Sequence, residues 1–200
     1  MKRDVEFLFE IGALRLMPRQ WQRFHLPDVA NLTEHHYRVI WLALLIASGE
    51  KKGDVEKIMK MALVHDIAES RTGDVDYMAR QYVDRKERLA LEHMLEQTPF
   101  KQEFLSLFDE YEERSTIEAK IVKDADYLDV DLDLREQGAN GAEIERIWET
   151  SRNFVGRKLF TKTARDLHKK IKSASPHDWH VQSPYNRSNG GDWKTSGKTK

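Results

Sequence analysis

The chain has 200 residues, 40% apolar and 34% charged, a length that supports one domain with a sizeable core and leaves little for a second. Its 33 Lys+Arg against 34 Asp+Glu give no global basic field to draw nucleic acid or an acidic membrane, and no apolar run approaches a membrane span. With no cysteine, disulfides, thiolate metal sites and a thiol nucleophile are excluded; the start, Met1-Lys-Arg-Asp, lacks a signal-peptide core, so a soluble cytoplasmic protein is expected.

Helix is predicted almost throughout. Val5, Leu8, Ile11, Gly12 and Leu16 recur at helical spacing until Pro18, which cannot continue the hydrogen-bond ladder. A connector over 17–31 follows, carrying Arg19, Trp21, Arg23 and His25 in irregular backbone, where substrate contacts often sit. From about Thr33 the apolar side formed by Val39, Ile40, Ala43, Leu44 and Ala47 predicts a helix ending near Ser48-Gly49. Asp54 then caps a helix running to about Ser70, with Thr72-Gly73-Asp74 as the turn beyond it.

The middle is amphipathic and highly charged. Residues 77–97 and 101–113, separated by Pro99, are predicted as a hairpin of cover helices. Ser115-Thr-Ile-Glu118 fits a capping box, and Ile117, Ile121, Ala125, Leu128 and Leu132 mark a long core-facing helix that carries Asp126 toward the middle of a bundle. Segments at about 141–157 and 161–174 complete it. Residues 175–200 lack periodicity and read as a polar tail. The expected fold is all-α, a single-domain helical bundle over 1–174.

The chemistry concentrates in Met61-Ala-Leu-Val-His65-Asp66-Ile-Ala-Glu69-Ser-Arg-Thr-Gly73-Asp74, an imidazole and three carboxylates within ten residues at the end of an apolar helix. Unpaired charges beside Met61, Leu63, Val64 and Ile67 are costly, and a divalent cation is the simplest compensation. A His-Asp pair alone is weak, since His177-Asp178 is another. The surroundings strengthen the first: Glu34-His35-His36 on an upstream apolar helix, Glu69 one turn after His65, and Lys123-Asp124-Ala-Asp126-Tyr-Leu downstream. His65 and Glu69 share a helix face, whereas Asp66 points about 100° away and reaches the same ion only near a helix end. His35, His65, Asp66 and Asp126 would supply two imidazoles and two carboxylates, a donor set suited to one Mn, Co, Fe, Ni or Zn ion without choosing among them.

Those segments, in that order, resemble the HD-domain metal-dependent phosphohydrolases over roughly residues 5–170, most closely the branch containing bacterial 5'-deoxynucleotidases and the eukaryotic HD-domain-containing protein 2. The resemblance implies an HD-type bundle with His35, His65, Asp66 and Asp126 as metal ligands, and Glu69 and Asp74 tied to catalysis. It implies removal of phosphate from deoxynucleoside 5'-monophosphates by metal-activated water, with Arg19 and Trp21 matching an Arg and a Trp that contact phosphate and sugar. Here Gln20 separates the two, where the bacterial enzymes have them adjacent. A homodimer is also implied, consistent with an apolar stripe of Met78, Leu89, Leu91, Met94 and Leu95. Two other readings are an HD enzyme acting on another phosphoester or nucleotide, and a noncatalytic metal- or nucleotide-binding module.

Other residues carry plainer expectations. His36 reads as structural, His93 and His168 as surface residues, and His177-Asp-Trp-His180 as tail. Asp129-Val-Asp131-Leu-Asp133 opens like a calcium loop, but Leu134 and Asn140 stand where glycine and glutamate are required. Asp129 and Asp133 share the Asp126 helix face, and either line the cavity or form an exposed acidic edge. Arg71 and Lys123 flank the proposed ligands, as phosphate contacts or salt-bridge partners.

Overall fold

A computed structural model describes residues 2–26 and 28–186; among these the pairing outside helices is a single antiparallel bridge, Pro18 with Asn31. The α-helices are α1 (Lys2–Gly12), α2 (Leu32–Glu50), α3 (Val55–Val64), α4 (Glu69–Thr72), α5 (Glu87–Met94), α6 (Lys101–Glu113), α7 (Ile117–Ala139), α8 (Ile144–Lys158), α9 (Lys162–Ser173) and α10 (Asp178–Val181). None is long and apolar enough to cross a membrane. The all-α expectation therefore holds. Of the predicted tail, α10 is helical, and 187–200 lies outside the described residues.

Helix starts follow the capping chemistry. Asn31 Oδ1 accepts from the Thr33 and Glu34 amides while Glu34 reaches back to the Asn31 amide, satisfying donors that a helix end leaves unpaired. Asp54 caps α3 with its carboxylate alone, accepting from the Glu56 and Lys57 amides. At α7 the cap is Thr116 rather than Ser115: its hydroxyl accepts from Ala119, and Glu118 turns away to accept from the Asp54 amide at 3.0 Å. Helix α2 runs through Gly49, because that glycine is a packing position; an added Cβ would stand 2.6 Å from the Thr163 side chain at the start of α9.

Two predicted helices are interrupted. The segment from Asp54 stops at Val64, and residues 65–68 form tight turns, with Ile67 bonding Val64 and Glu69 bonding Asp66 at three-residue spacing, before α4 begins. The 77–97 segment holds one 3₁₀ turn, Ala79–Gln81, started by the Asp76 carboxylate accepting from the Met78 and Ala79 amides, and becomes α-helical only at Glu87. Its apolar stripe is also divided. Leu91, Met94 and Leu95 are fully buried in the chain's own core, leaving Met78 and Leu89 exposed.

Helix α7 is the centre, packed by α2, α3, α6, α8 and α9. Ile121, Val122, Ala125 and Leu128 meet Val39, Ala43, Ile46, Ile58 and Met61 in one continuous core. Each fully buried aliphatic contributes about 1.5–3 kcal/mol. A smaller cluster of Trp21, Val130, Leu134 and Ile144 pins the 17–31 connector to α7 and α8. The connector's ends are clamped by Arg19 N–H to the Ala30 carbonyl and Leu32 N–H to the Met17 carbonyl, which fixes Arg19 at the mouth of the bundle.

The acids of α7 face in several directions and each is used. Asp124 accepts from the Phe160 and Thr161 amides and the Thr161 hydroxyl at 2.7–2.8 Å, organising the start of α9; leaving those donors buried and unpaired would cost about 1–3 kcal/mol each. Asp131 accepts from Arg152 and His168. His168 is thus buried, not a surface residue: Gly156 lets α8 approach so closely that a Cβ there would meet its ring at 2.2 Å. Asp133 is buried as well, and burial pushes its carboxyl up to about 6.

Candidate metal centre and active site

Three helices bring His35, His65, Asp66 and Asp126 to one point. One donor atom from each lies within 4.8 Å of the others. His35 projects from the second turn of α2, Asp126 from the middle of α7, and His65-Asp66 from the tight turns that end α3. Those turns resolve the 100° divergence of adjacent helical residues: with the helix finished at Val64, both side chains reach the same space. The Glu69 carboxylate, on α4, is beside them and buried.

Ring orientations fit a metal. His35 Nδ1 lies 2.6 Å from Asp129 Oδ2, and His65 Nδ1 lies 2.8 Å from the Ala62 carbonyl. An acceptor at each Nδ1 holds the proton there and leaves both Nε2 lone pairs facing inward. Inward distances are 3.2 Å between the two Nε2 atoms, 3.5 Å from His35 Nε2 to each of Asp66 Oδ2 and Asp126 Oδ1, and 3.4 Å from His65 Nε2 to Asp66 Oδ2. Ligands about 2.0–2.1 Å from one ion are roughly 3.0–3.4 Å apart; four of the six donor pairs already stand close to that spacing, and all lie within 4.8 Å.

The electrostatics show the same demand for positive charge. Burial and Arg19 oppose protonation of His35, yet Asp129 and Asp66 outweigh them and raise it to about 9. Burial would raise Asp66, but the His65 and His35 rings hold it well below the usual carboxylate range. Asp126 is also depressed against its burial, chiefly by Lys123, whose Nζ stands 2.7 Å from Oδ2. Glu69 goes the other way. Burial, then Asp66 and Asp74, push it up to about 10, and its Oε2 has no partner. Lys123, the His35 proton and the proton on Glu69 together meet these three acids, and a divalent ion is the natural counter-charge for the set.

The cluster opens into a cleft of about 230 Å³. Arg19 is buried there, its Nη1 3.2 Å from Asp74 Oδ2 and 3.9 Å from Asp66 Oδ2, and Gln20 N–H donates to the same Asp74 oxygen at 3.1 Å. Asp74 therefore anchors the connector. Lys123, Tyr111, Tyr127 and Arg85 complete the near walls, and Arg85 Nη1 stands 3.6 Å from Glu69 Oε1.

One sequence expectation changes, and the reading left open at Arg71 resolves to its salt-bridge alternative. Gln20, not Trp21, follows Arg19 into the cleft lining. Successive residues of the 3₁₀ turn Gln20–Phe24 step about 120° round its axis. Trp21 is thereby turned into the protein, 1% exposed, with its ring edge-on to Trp148 at 4.9 Å. Arg71 lies outside the cleft and pairs with Glu10 on α1. His36 keeps its structural reading: Nδ1 bonds the Leu32 carbonyl, and burial drives the ring down to about 3.

Other contributors were less legible. Asp129 lies three residues past Asp126 on α7, a spacing visible in the sequence, and Arg38 locks it from the far side while pairing with Glu136. Tyr77, Arg85 and Arg152 carry no local signal, because their place at the cleft depends on how three distant segments pack.

A family model described as an HD domain matches residues 11–172. The 5'-deoxynucleotidase HDDC2 of Xenopus laevis is 33% identical over 134 residues, covering 64% of this chain and 66% of that one. The protein of the same description from Danio rerio is 32% identical over 142 residues, 68% and 70% of the two chains. The chain thus spans about two thirds of the length of these curated relatives. Among solved structures, a conserved hypothetical protein from Pyrococcus furiosus superposes with a TM-score of 0.72 at 27% identity, covering 85% of this chain and 99% of that one. The matched stretch takes in every helix that supplies the four donors, and the chain belongs to the HD domain family, in the branch of these relatives.

Proposed function

We propose that the chain is a metal-dependent phosphohydrolase that removes the 5'-phosphate from nucleoside monophosphates, deoxy forms preferred. The observation that carries this reading is the four-donor cluster within 4.8 Å, with the buried Glu69 carboxyl, whose Oε2 has no hydrogen-bond partner, beside it in a cleft that Arg19, Lys123 and Arg85 line. The relatives' description as 5'-deoxynucleotidases supports the substrate class.

His35, His65, Asp66 and Asp126 hold the ion. When bound, a divalent cation supplies Lewis acidity, drawing charge from a phosphoryl oxygen and making water at the site more acidic. Glu69 takes the proton from the attacking water; positive charge at the cluster brings its carboxyl back down into a range where it is a base. Arg19, fixed by Asp74, and Lys123, fixed by Asp126, present cations to the phosphate oxygens. Asp74, the other candidate base, already accepts from Arg19 and Gln20, so its part is to position the connector. The Trp21 ring acts through the wall it supports.

Purified protein screened across nucleotides and divalent metals should release phosphate from nucleoside 5'-monophosphates in a metal-dependent way. For matched deoxy and ribo monophosphates, the deoxy form should have the higher kcat/KM, as the relatives' description as 5'-deoxynucleotidases leads one to expect. Equal values or a ribo preference would remove the sugar discrimination; no phosphate release with any metal would remove the nucleotidase.

A homodimer belongs to the same proposal, through a different surface from the stripe read in the sequence. An apolar groove of about 700 Å³ runs between α1 and the α5–α6 region, lined by Phe7, Leu8, Ile11, Leu63, Phe100 and Phe104. Leu8 and Phe9 beside it are 61% and 77% exposed. A contiguous apolar patch of this kind marks a contact surface, and light scattering at micromolar concentration should give a dimer mass. Leu8→Glu should then shift it to monomer; a monomeric parent protein would refute the pairing.

A further inference from the structure

One wall of the cleft holds a charged side chain from α8 that the chemistry above leaves unused. Arg152 is 7% exposed, with Nε donating to Asp131 Oδ1 and Nη2 to the Tyr127 carbonyl, both at 2.6 Å. His168 Nδ1, 2.9 Å from the other Asp131 oxygen, fixes that carboxylate in turn. Neutralising Asp131 explains Nε. It does not explain why Arg152 lines the cleft with Nη1 bonded to no partner among the described residues. A guanidinium immobilised through two of its nitrogens has little entropy left to lose when the third binds.

Tyr77 stands at the same end. It is 53% exposed, its ring centroid is 5.7 Å from that of Trp148, and the Arg80 guanidinium lies 5.4 Å over its face. Tyr77 and Arg152 both line the metal cleft and also an adjoining hollow of about 590 Å³ that Trp148 and Phe154 bound. Arg152 is tied to α7 one and five residues beyond Asp126, so it sits about one helical turn, ~5.4 Å, along the axis from that ligand.

We propose that this end of the cleft is the nucleobase subsite, resting on the nucleotide reading above: the base stacks on Tyr77, and Arg152 Nη1 donates to a carbonyl oxygen or ring nitrogen of the base. Every nucleobase has a π-face and at least one such acceptor, so the subsite discriminates nucleotides from other phosphomonoesters more than one base from another.

The test compares a deoxynucleoside 5'-monophosphate with deoxyribose 5-phosphate, which keeps phosphate and sugar and lacks the base, on the full chain with its activating metal. The parent protein should show a KM about tenfold or more lower for the nucleotide. Tyr77→Ala, at a half-exposed position that does not threaten the fold, should raise the nucleotide KM about tenfold while leaving kcat and the deoxyribose 5-phosphate constants unchanged. Arg152→Lys keeps a cation for Asp131 but cannot make three fixed contacts; its melting temperature should fall as the Tyr127 carbonyl loses its donor, and below that temperature it should raise the nucleotide KM alone in the same way. Equal losses on both substrates would place these residues at the phosphate or in the fold and overturn the subsite. A parent protein that cleaves both substrates equally well would overturn it too, with the phosphatase reading intact; failure to cleave any nucleotide would bring down both.

Discussion

His65→Ala and Asp126→Ala are each expected to leave the protein without bound metal and without phosphohydrolase activity. Each removes one of four donors that lie within 4.8 Å of one another, and leaves the remaining carboxylates without enough positive charge. Loss of a partner one bond further out typically weakens metal binding 10–100-fold, so loss of a ligand should exceed about 100-fold. The parent protein should gain about 2.7 kcal/mol of stability at a metal concentration 100 times Kd, and the variants should not. The sign of the pH dependence follows from His35. Its proton, held up to about pH 9 in the cation-free site, must leave when metal binds, so affinity should fall as pH drops below that value. Elemental analysis and metal-dependent melting measure these effects; full occupancy in either variant would show that the ion sits elsewhere.

Glu69→Gln should do the opposite to metal and the same to turnover. The amide keeps the size of a buried side chain that is 4% exposed, and Glu69 is not one of the four inward donors. Metal occupancy and KM should therefore persist while kcat drops about 10²–10⁴-fold, the usual contribution of a positioned base. An unimpaired kcat would return the role to Asp74. Asp74→Asn is expected to differ in kind, raising KM, because what it loses is the anchor for Arg19 and the Gln20 amide.

How far the sequence carried the fold and the site follows from the range of the interactions involved. Helices with long apolar stripes and a local cap, such as α2 behind Asn31 and α3 behind Asp54, are written in neighbouring residues and were legible. The four donors were legible because their segments have distinctive composition and order, which a resemblance can exploit. Breaks at 65–68 and 82–86 were not, since apolar spacing continues through them while the backbone answers to turns and to what packs above. His168 shows the same limit: its neighbours on α9 are charged, but the space opened by Gly156 on α8 takes its ring into the interior. Trp21 was out of reach for the same reason: which residue after Arg19 meets the cleft is set by the phase of the Gln20–Phe24 turn, and that phase sends the Trp21 ring to Trp148.

The central position of α7 has a consequence for which length changes the chain can absorb. Asp124, Asp126, Asp129 and Asp131 serve respectively the start of α9, the ion cluster, the His35 ring, and the Arg152–His168 pair. All four depend on a single angular phase. Inserting or deleting one residue between them would rotate every later side chain by about 100°, so α9, the imidazole tilt and the α8 wall would go out of phase in one step. The turn at 140–143, which follows the last of them, carries no such phase and is where natural or engineered length variation can accumulate.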